Sequence, residues 1–128
     1  MFAHTVELPV PFPVALERTI ALLQGQGFGI LTRIDTHEVL KAKLGVDRPP
    51  YVILGACNPK LANTAISAEP TVGVLMPCSV VVESVGAGSR VHVPRMLDLV
   101  TGQDNAAITE LATEVDKRMT AVRAGLVA

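Results

Sequence analysis

The chain has no tryptophan, one tyrosine and three phenylalanines in 128 residues. Phe2, Phe12, Phe28 and Tyr51 are too few and too spread out for a base-stacking platform. Basic charge is not in excess either. Eleven Lys and Arg stand against twelve Asp and Glu, a net charge of −1, so there is no strong electrostatic drive toward nucleic acid. No apolar run reaches the roughly 18 residues that a membrane-spanning helix needs. The segment Met1–Glu7 has no basic region followed by an apolar core, so no secretion signal is read and a cytoplasmic location is expected. Cysteine occurs only twice, at Cys57 and Cys78. In a reducing compartment a permanent disulfide between them is not expected.

Apolar residues are plentiful. They make up 49% of the chain, and mean hydropathy is +0.42. A chain of this length buries about two-thirds of its unfolded surface as one domain, so a single domain over residues 1–128 is expected, with no need of staples.

Periodicity divides the chain into elements. Ala3 to Val10 alternates as a strand and is ended by Pro9, Pro11 and Pro13. Val14 to Gln24 carries Leu16, Ile20 and Leu23 on one helical stripe and stops at Gly25 and Gly27. Phe28 to Ile34 reads as a second strand. Asp35 and Glu38 form a capping box for a helix to about Leu44, with Val39, Leu40 and Leu44 facing the core. Tyr51 to Ala56 is apolar on both faces, as in a covered central strand. Asn58 as N-cap and Pro59 as first residue open a helix over Lys60 to Ala68, with Leu61, Ala65 and Ile66 inward. Ser79–Val85 and Arg90–Val93 form a hairpin around Gly86-Ala87-Gly88-Ser89. Ile108, Leu111, Val115, Met119 and Val122 keep helical spacing from Ala106 to Val122, and Glu114 can pair with Arg118. The order β-α-β-α-β-α-β-β-α predicts an α+β domain, a mixed or antiparallel sheet covered by helices. The second strand and the hairpin are expected to leave sheet edges that a homodimer partner covers.

The segment Ile53-Leu54-Gly55-Ala56-Cys57-Asn58-Pro59 delivers a thiol to a strand-to-helix junction. Gly55 and Ala56 leave room for close approach there. Helix N–H groups and the helix dipole favour an anion at such a place and lower a thiol's pKa. Cys78, after Pro77 and before Val80-Val81-Val82, opens another apolar run. The two thiols are 21 positions apart and form no Cys-x-x-Cys motif. If the strands at Tyr51 and Ser79 pair antiparallel, the thiols meet; if the helix between them is a parallel crossover, they lie at opposite ends of the sheet. His4, His37 and His92 share no ligand spacing, so no metal site and no cofactor is expected. His92 alternates with Val91 and Val93 and is expected to face solvent or a groove edge. The glycine-rich hairpin lacks the Lys and the helix start of a phosphate loop.

Taken together, Gly27-Phe28-Gly29-Ile30-Leu31-Thr32 with Ile34-Asp35, Lys43-Leu44-Gly45, the Cys57-Asn58-Pro59 segment with Leu61-Ala62, and Leu75-Met76-Pro77-Cys78 with Val80-Val81-Val82 resemble the bacterial and archaeal domain of unknown function 302 family. The resemblance spans Phe12 to about Val122. It implies a compact α+β fold similar to the TATA-binding-protein-like topology, and often a homodimer. It does not imply DNA binding, because a shared fold does not carry a site. Ser79 stands where relatives often have Asn, and Val93-Pro94-Arg95-Met96 lacks an acidic residue that relatives often place before the proline. Some members are associated with sulfur-metabolism proteins.

Two readings of function follow. In one, Cys57 is a reactive thiol for redox sensing or sulfur handling and Cys78 is its partner or a bystander. In the other, the domain binds a small ligand or a protein partner without catalysis and both cysteines are structural. Asn58 and Lys43 are candidate ligand-binding residues in either case, although capping already explains most of Asn58.

Overall fold

A computed structural model describes all 128 residues. Five strands and five helices alternate along the chain as β1 (Ala3–Leu8), α1 (Phe12–Gly25), β2 (Gly29–Asp35), α2 (Thr36–Leu44), β3 (Tyr51–Cys57) and α3 (Pro59–Ala68). A 3-10 helix (Pro70–Leu75) leads, through a cis Met76–Pro77 bond, into β4 (Cys78–Val85) and β5 (Gly88–Pro94), followed by α4 (Met96–Leu99) and α5 (Ala106–Leu126). The result is the expected α+β domain. The sheet is antiparallel throughout, in the order β1-β5-β4-β3-β2. Neither the 3-10 helix nor α4 was expected from the sequence.

The sheet is covered by helices on one face. Val52, Leu54 and Ala56 of β3, Val80 and Val82 of β4, and Val91 and Val93 of β5 are buried there. They pack with Ala15, Leu16 and Leu23 of α1 and Ile108, Ala112, Val115, Met119, Val122 and Leu126 of α5. Side chains alternate across a strand, so Ile53, Val81, Glu83, Arg90 and His92 point to the opposite face, where they are half-buried. His92 lies on that face as part of a polar ladder. Its Nε2 is 2.6 Å from Glu83 Oε2 and its Nδ1 is 2.8 Å from Thr5 Oγ1. Next to it, Arg90 Nε donates to Glu7 at 2.6 Å.

Several local expectations are corrected. Asp35 does not cap α2: its carboxylate accepts from Arg33 at 2.9 Å instead. The helix α2 buries no residue, and Val39 and Leu44 are 41% and 69% exposed. The helix meets the sheet at β3, where the Tyr51 N–H donates to His37 Nδ1 at 3.0 Å, and takes no part in the core that α1 and α5 build on the inner face. Ile66 of α3 is likewise 46% exposed. The β4–β5 hairpin is interior, because β1 pairs with β5, so the sheet edges are β1 and β2. The turn also differs, since Gly88 and Ser89 already belong to β5. The expected Glu114–Arg118 pair forms at 3.0 Å, and Arg118 also donates to the Gln26 carbonyl at 2.9 Å, pinning the α1–β2 turn to α5.

Gly55, buried near the C-terminal end of β3, sets the spacing there. A Cβ added there would collide with the Thr32 side chain and lie 2.8 Å from Pro77 Cγ. The room beside this glycine is therefore already filled by neighbours. Gly55→Ala should lower stability by about 1–3 kcal/mol through overpacking. The urea midpoint measures this, and Thr32→Ala in the same chain should recover part of the loss.

Candidate functional site

The β3–β4 register answers the question the sequence left open. The strands pair antiparallel, with Ala56 opposite Cys78. Cys57 is therefore one residue beyond Cys78's partner, at the same end of the sheet. By strand geometry their Cα atoms are about 6 Å apart, within the range a disulfide spans, while the pleat starts their Cβ atoms toward opposite faces. Both are free thiols and half-buried.

Residues Cys57 and Cys78 both line one cavity of about 70 Å³. Its floor is Ala56 and Phe28. One wall is Leu61, Ala62 and Ala65 of α3. The 3-10 helix and the residues after it add Val72, Leu75 and Met76, and the far side is Met96, Val100, Ile108, Leu111, Ala112 and Val115. Thiols apart, no side chain in this lining is ionisable, and Asn58 is its single polar residue.

Asn58 behaves as the sequence predicted. Its Oδ1 accepts from the Leu61 N–H at 3.1 Å and caps α3, a contact worth about 1 kcal/mol. Lys43 is not part of the site; it is exposed on α2 and does not line the cavity. Lys41 of the same helix pairs with Asp47 at 2.9 Å. Of the four site residues named from sequence, the fold brings Cys57, Cys78 and Asn58 together and leaves Lys43 apart.

Much of the lining was missed by sequence reasoning. Val72, Leu75 and Met76 belong to an apolar stretch bounded by Pro70 and Pro77, too short and too proline-bound to read as a strand. That unassigned apolar stretch was the available signal. Leu111 and Val115 were read correctly as one helical stripe, with nothing to show that part of it faces a void.

Burial pushes the Cys78 thiol up to about 11, with smaller contributions from Cys57 and Asp116. Cys78 is therefore a neutral thiol at pH 7, with the character of a small apolar side chain.

The family model for the domain of unknown function DUF302 matches residues 4–126. The chain belongs to this family. The crystal structure of an uncharacterized conserved DUF302 protein from Bacillus stearothermophilus is similar, with a TM-score of 0.88, 31% identity and 98% coverage of both chains. A search of curated proteins finds no match. The resemblance read from the cysteine-bearing segments is thus the family of the whole domain.

The Cys78 shift has a thermodynamic consequence. The folded thiol holds its proton to about 11, against 9.0 for an unperturbed thiol. Between those values the unfolded chain has lost a proton that the folded chain keeps. This contribution to stability is therefore present below pH 9 and lost as pH rises toward 11, on the order of 2 kcal/mol in all. Denaturation midpoints between pH 8 and 11 should fall less steeply in Cys78→Ala than in the parent chain.

Proposed function

We propose that this DUF302 domain is a non-enzymatic binding module that takes a small apolar molecule into the Cys57–Cys78 cavity. The observation that carries this reading is the lining itself, which is apolar except for Asn58 and contains no acid–base pair beside either thiol. General acid–base catalysis needs such a pair within hydrogen-bond reach, and nucleophilic catalysis needs either an activating base or a thiol pKa lowered by its surroundings. Asn58 is already engaged in capping α3. Concave sites lined mainly by apolar side chains accept apolar guests. The volume of about 70 Å³ restricts the guest to a few heavy atoms unless α3 moves outward. The thiols supply polarisable contacts, which favours an apolar or sulfur-containing guest. A cytoplasmic setting, where both stay reduced, fits this role.

The test uses benzene as probe. Saturable amide shifts confined to Cys57–Ala65, Val72–Cys78 and Leu111–Val115 support the reading. Ala65→Leu, which adds three carbons to the cavity wall, should abolish them. Shifts that do not saturate, or that survive Ala65→Leu unchanged, would overturn it. The reactive-thiol alternative has its own readout. If Cys57 is alkylated at pH 7 faster than free cysteine in the native protein, thiol chemistry replaces the binding reading.

We also infer a homodimer formed across the β2–α2 edge. Leu31 is 65% exposed, and Ile34, Val39, Leu44 and Val46 lie exposed near it in the chain, beside an unpaired strand edge. Apolar residues beside an open edge call for cover, and a two-fold copy is the commonest. Sedimentation equilibrium should give twice the 13.5 kDa chain mass, and Leu31→Glu should return it to one. A parent chain that sediments as a monomer at micromolar concentration would refute the dimer.

A further inference from the structure

The chain has six sulfur-bearing residues, two cysteines and four methionines. Four of them, Cys57, Met76, Cys78 and Met96, line the apolar cavity, which is bounded by 18 residues. Apart from these and Asn58, whose Oδ1 caps α3, the lining side chains are hydrocarbon. An apolar guest needs volume, which leucine and valine provide as well. Sulfur adds soft lone pairs to the same wall.

Strand phase selects one of the two thiols. Cys78 lies opposite Ala56 and in phase with the buried Val80 and Val82, so its side chain starts on the inner face, where it packs against the core. Cys57 is one residue out of phase with Ala56 and starts toward the outer face. Met96 is buried at the start of α4, and Met76 leaves the 3-10 helix just before Pro77. Methionine is unbranched and has three rotatable bonds, which lets both thioethers turn into a shared space.

We propose that this cavity holds a soft monovalent metal ion, cuprous copper, between the Cys78 thiolate and the Met76 and Met96 thioethers. Thiolate and thioether ligands select this ion. One thiolate cancels its single charge, so the complex is neutral and carries no net charge into an apolar lining. On binding, the Cys78 S–H bond breaks, a sulfur–copper bond forms, and the proton leaves to solvent. Zinc would keep a positive charge on the same three ligands, and it finds no imidazole in the lining to complete a tetrahedral set. Calcium and magnesium need oxygen ligands, which the lining does not offer. The histidine spacing that argues against a zinc site has no bearing on thioethers.

The surroundings favour a cation. Burial is the main cause that pushes the Cys78 thiol up, and Cys57 and Asp116 act in the same direction. The Asp116 carboxylate accepts from the N–H groups of Met96 at 2.6 Å and Leu97 at 3.0 Å, which holds it at the Met96 end of the cavity. Asp116 also lines a polar hollow of about 180 Å³ with His4, Arg95, Asp98 and Arg123. A carboxylate that disfavours a bare thiolate at Cys78 stabilises a cation bound to it. The proposal rests on the binding reading in one respect, that the cavity admits a ligand, and adds the sulfur set as a separate requirement.

The probe is silver(I), a redox-stable ion of the same charge and softness. It is added as nitrate, in chloride-free buffer, to the full chain with methyl-labelled methionine. Silver should shift the Met76 and Met96 methyl signals to saturation and leave those of Met1 and Met119 in place. Cuprous copper should be withdrawn from bicinchoninate by the same chain. Cys78→Ala and Met96→Leu should each weaken silver binding by about tenfold or more, and Met119→Leu should bind as the parent does. Met96→Leu conserves volume, so it serves if Cys78→Ala does not fold, and it should still give the benzene shifts. Benzene shifts in a parent chain that gives no silver shifts would overturn the metal site and leave the apolar reading standing. Silver shifts without benzene shifts would do the reverse. Equal silver binding by Cys78→Ala and the parent, or the same methyl shifts from zinc at the same concentrations, would also overturn the proposal.

Discussion

The antiparallel pairing of β3 with β4 is the constraint on which the rest of the site depends. With Ala56 opposite Cys78, the C-terminal end of one strand meets the N-terminal end of the next. That end carries a thiol on each strand, the cap of α3 and the exit from the 3-10 helix. A parallel crossover would have separated the thiols by the length of the sheet. Gly55 permits the close approach that lets Thr32 and Pro77 pack across β3, and the buried Ala56 sits at the cavity floor.

One-sided coverage of the sheet shapes everything else. The helices α1 and α5 fill the middle of the inner face with large aliphatic side chains. Toward the β3–β4 end, α3 and the 3-10 helix contribute smaller contacts at Ala62, Ala65 and Val72, and the apolar cavity remains there. Asp116 marks the boundary with the polar side. Its carboxylate caps the start of α4, while Met96 in the same short helix lines the apolar cavity. One α5 face thus borders an apolar and a polar cavity, with α4 between them. The outer face of the sheet uses cross-strand polar contacts instead of cover. His92 joins β4, β5 and β1 there, with Nε2 2.6 Å from Glu83 Oε2 and Nδ1 2.8 Å from Thr5 Oγ1.

Local signals were legible where one principle acted alone. Asn58 and Pro59 mark the α3 start because capping needs an acceptor at one position and tolerates a missing N–H at the next. The α5 stripe and the Glu114–Arg118 pair follow from helical spacing. Legibility failed where tertiary competition decided. Asp35 has the sequence of a capping box, but Arg33 claims its carboxylate. Val39 and Leu44 have an inward pattern, yet both stay exposed because α2 lies outside the core built by α1 and α5. The hairpin looked like an edge because sequence does not show β1 returning to pair with β5. Cys57 and Cys78 stand out by residue type at element boundaries, which carries no information on their proximity, and Lys43 stands out only by its place in a family-like segment. The polar hollow lined by His4, Arg95, Asp98, Asp116 and Arg123 was not legible at all, since those residues are as many as 119 positions apart.

The most direct measurement of the central claim is a crystal structure under xenon pressure, in which a neutral, polarisable atom seeks dry apolar space. A xenon site is predicted within the volume bounded by Cys57, Cys78, Leu61, Met96 and Leu111. Its absence there, with ordered water in the cavity instead, would contradict the assignment of this cavity as a binding site for apolar molecules.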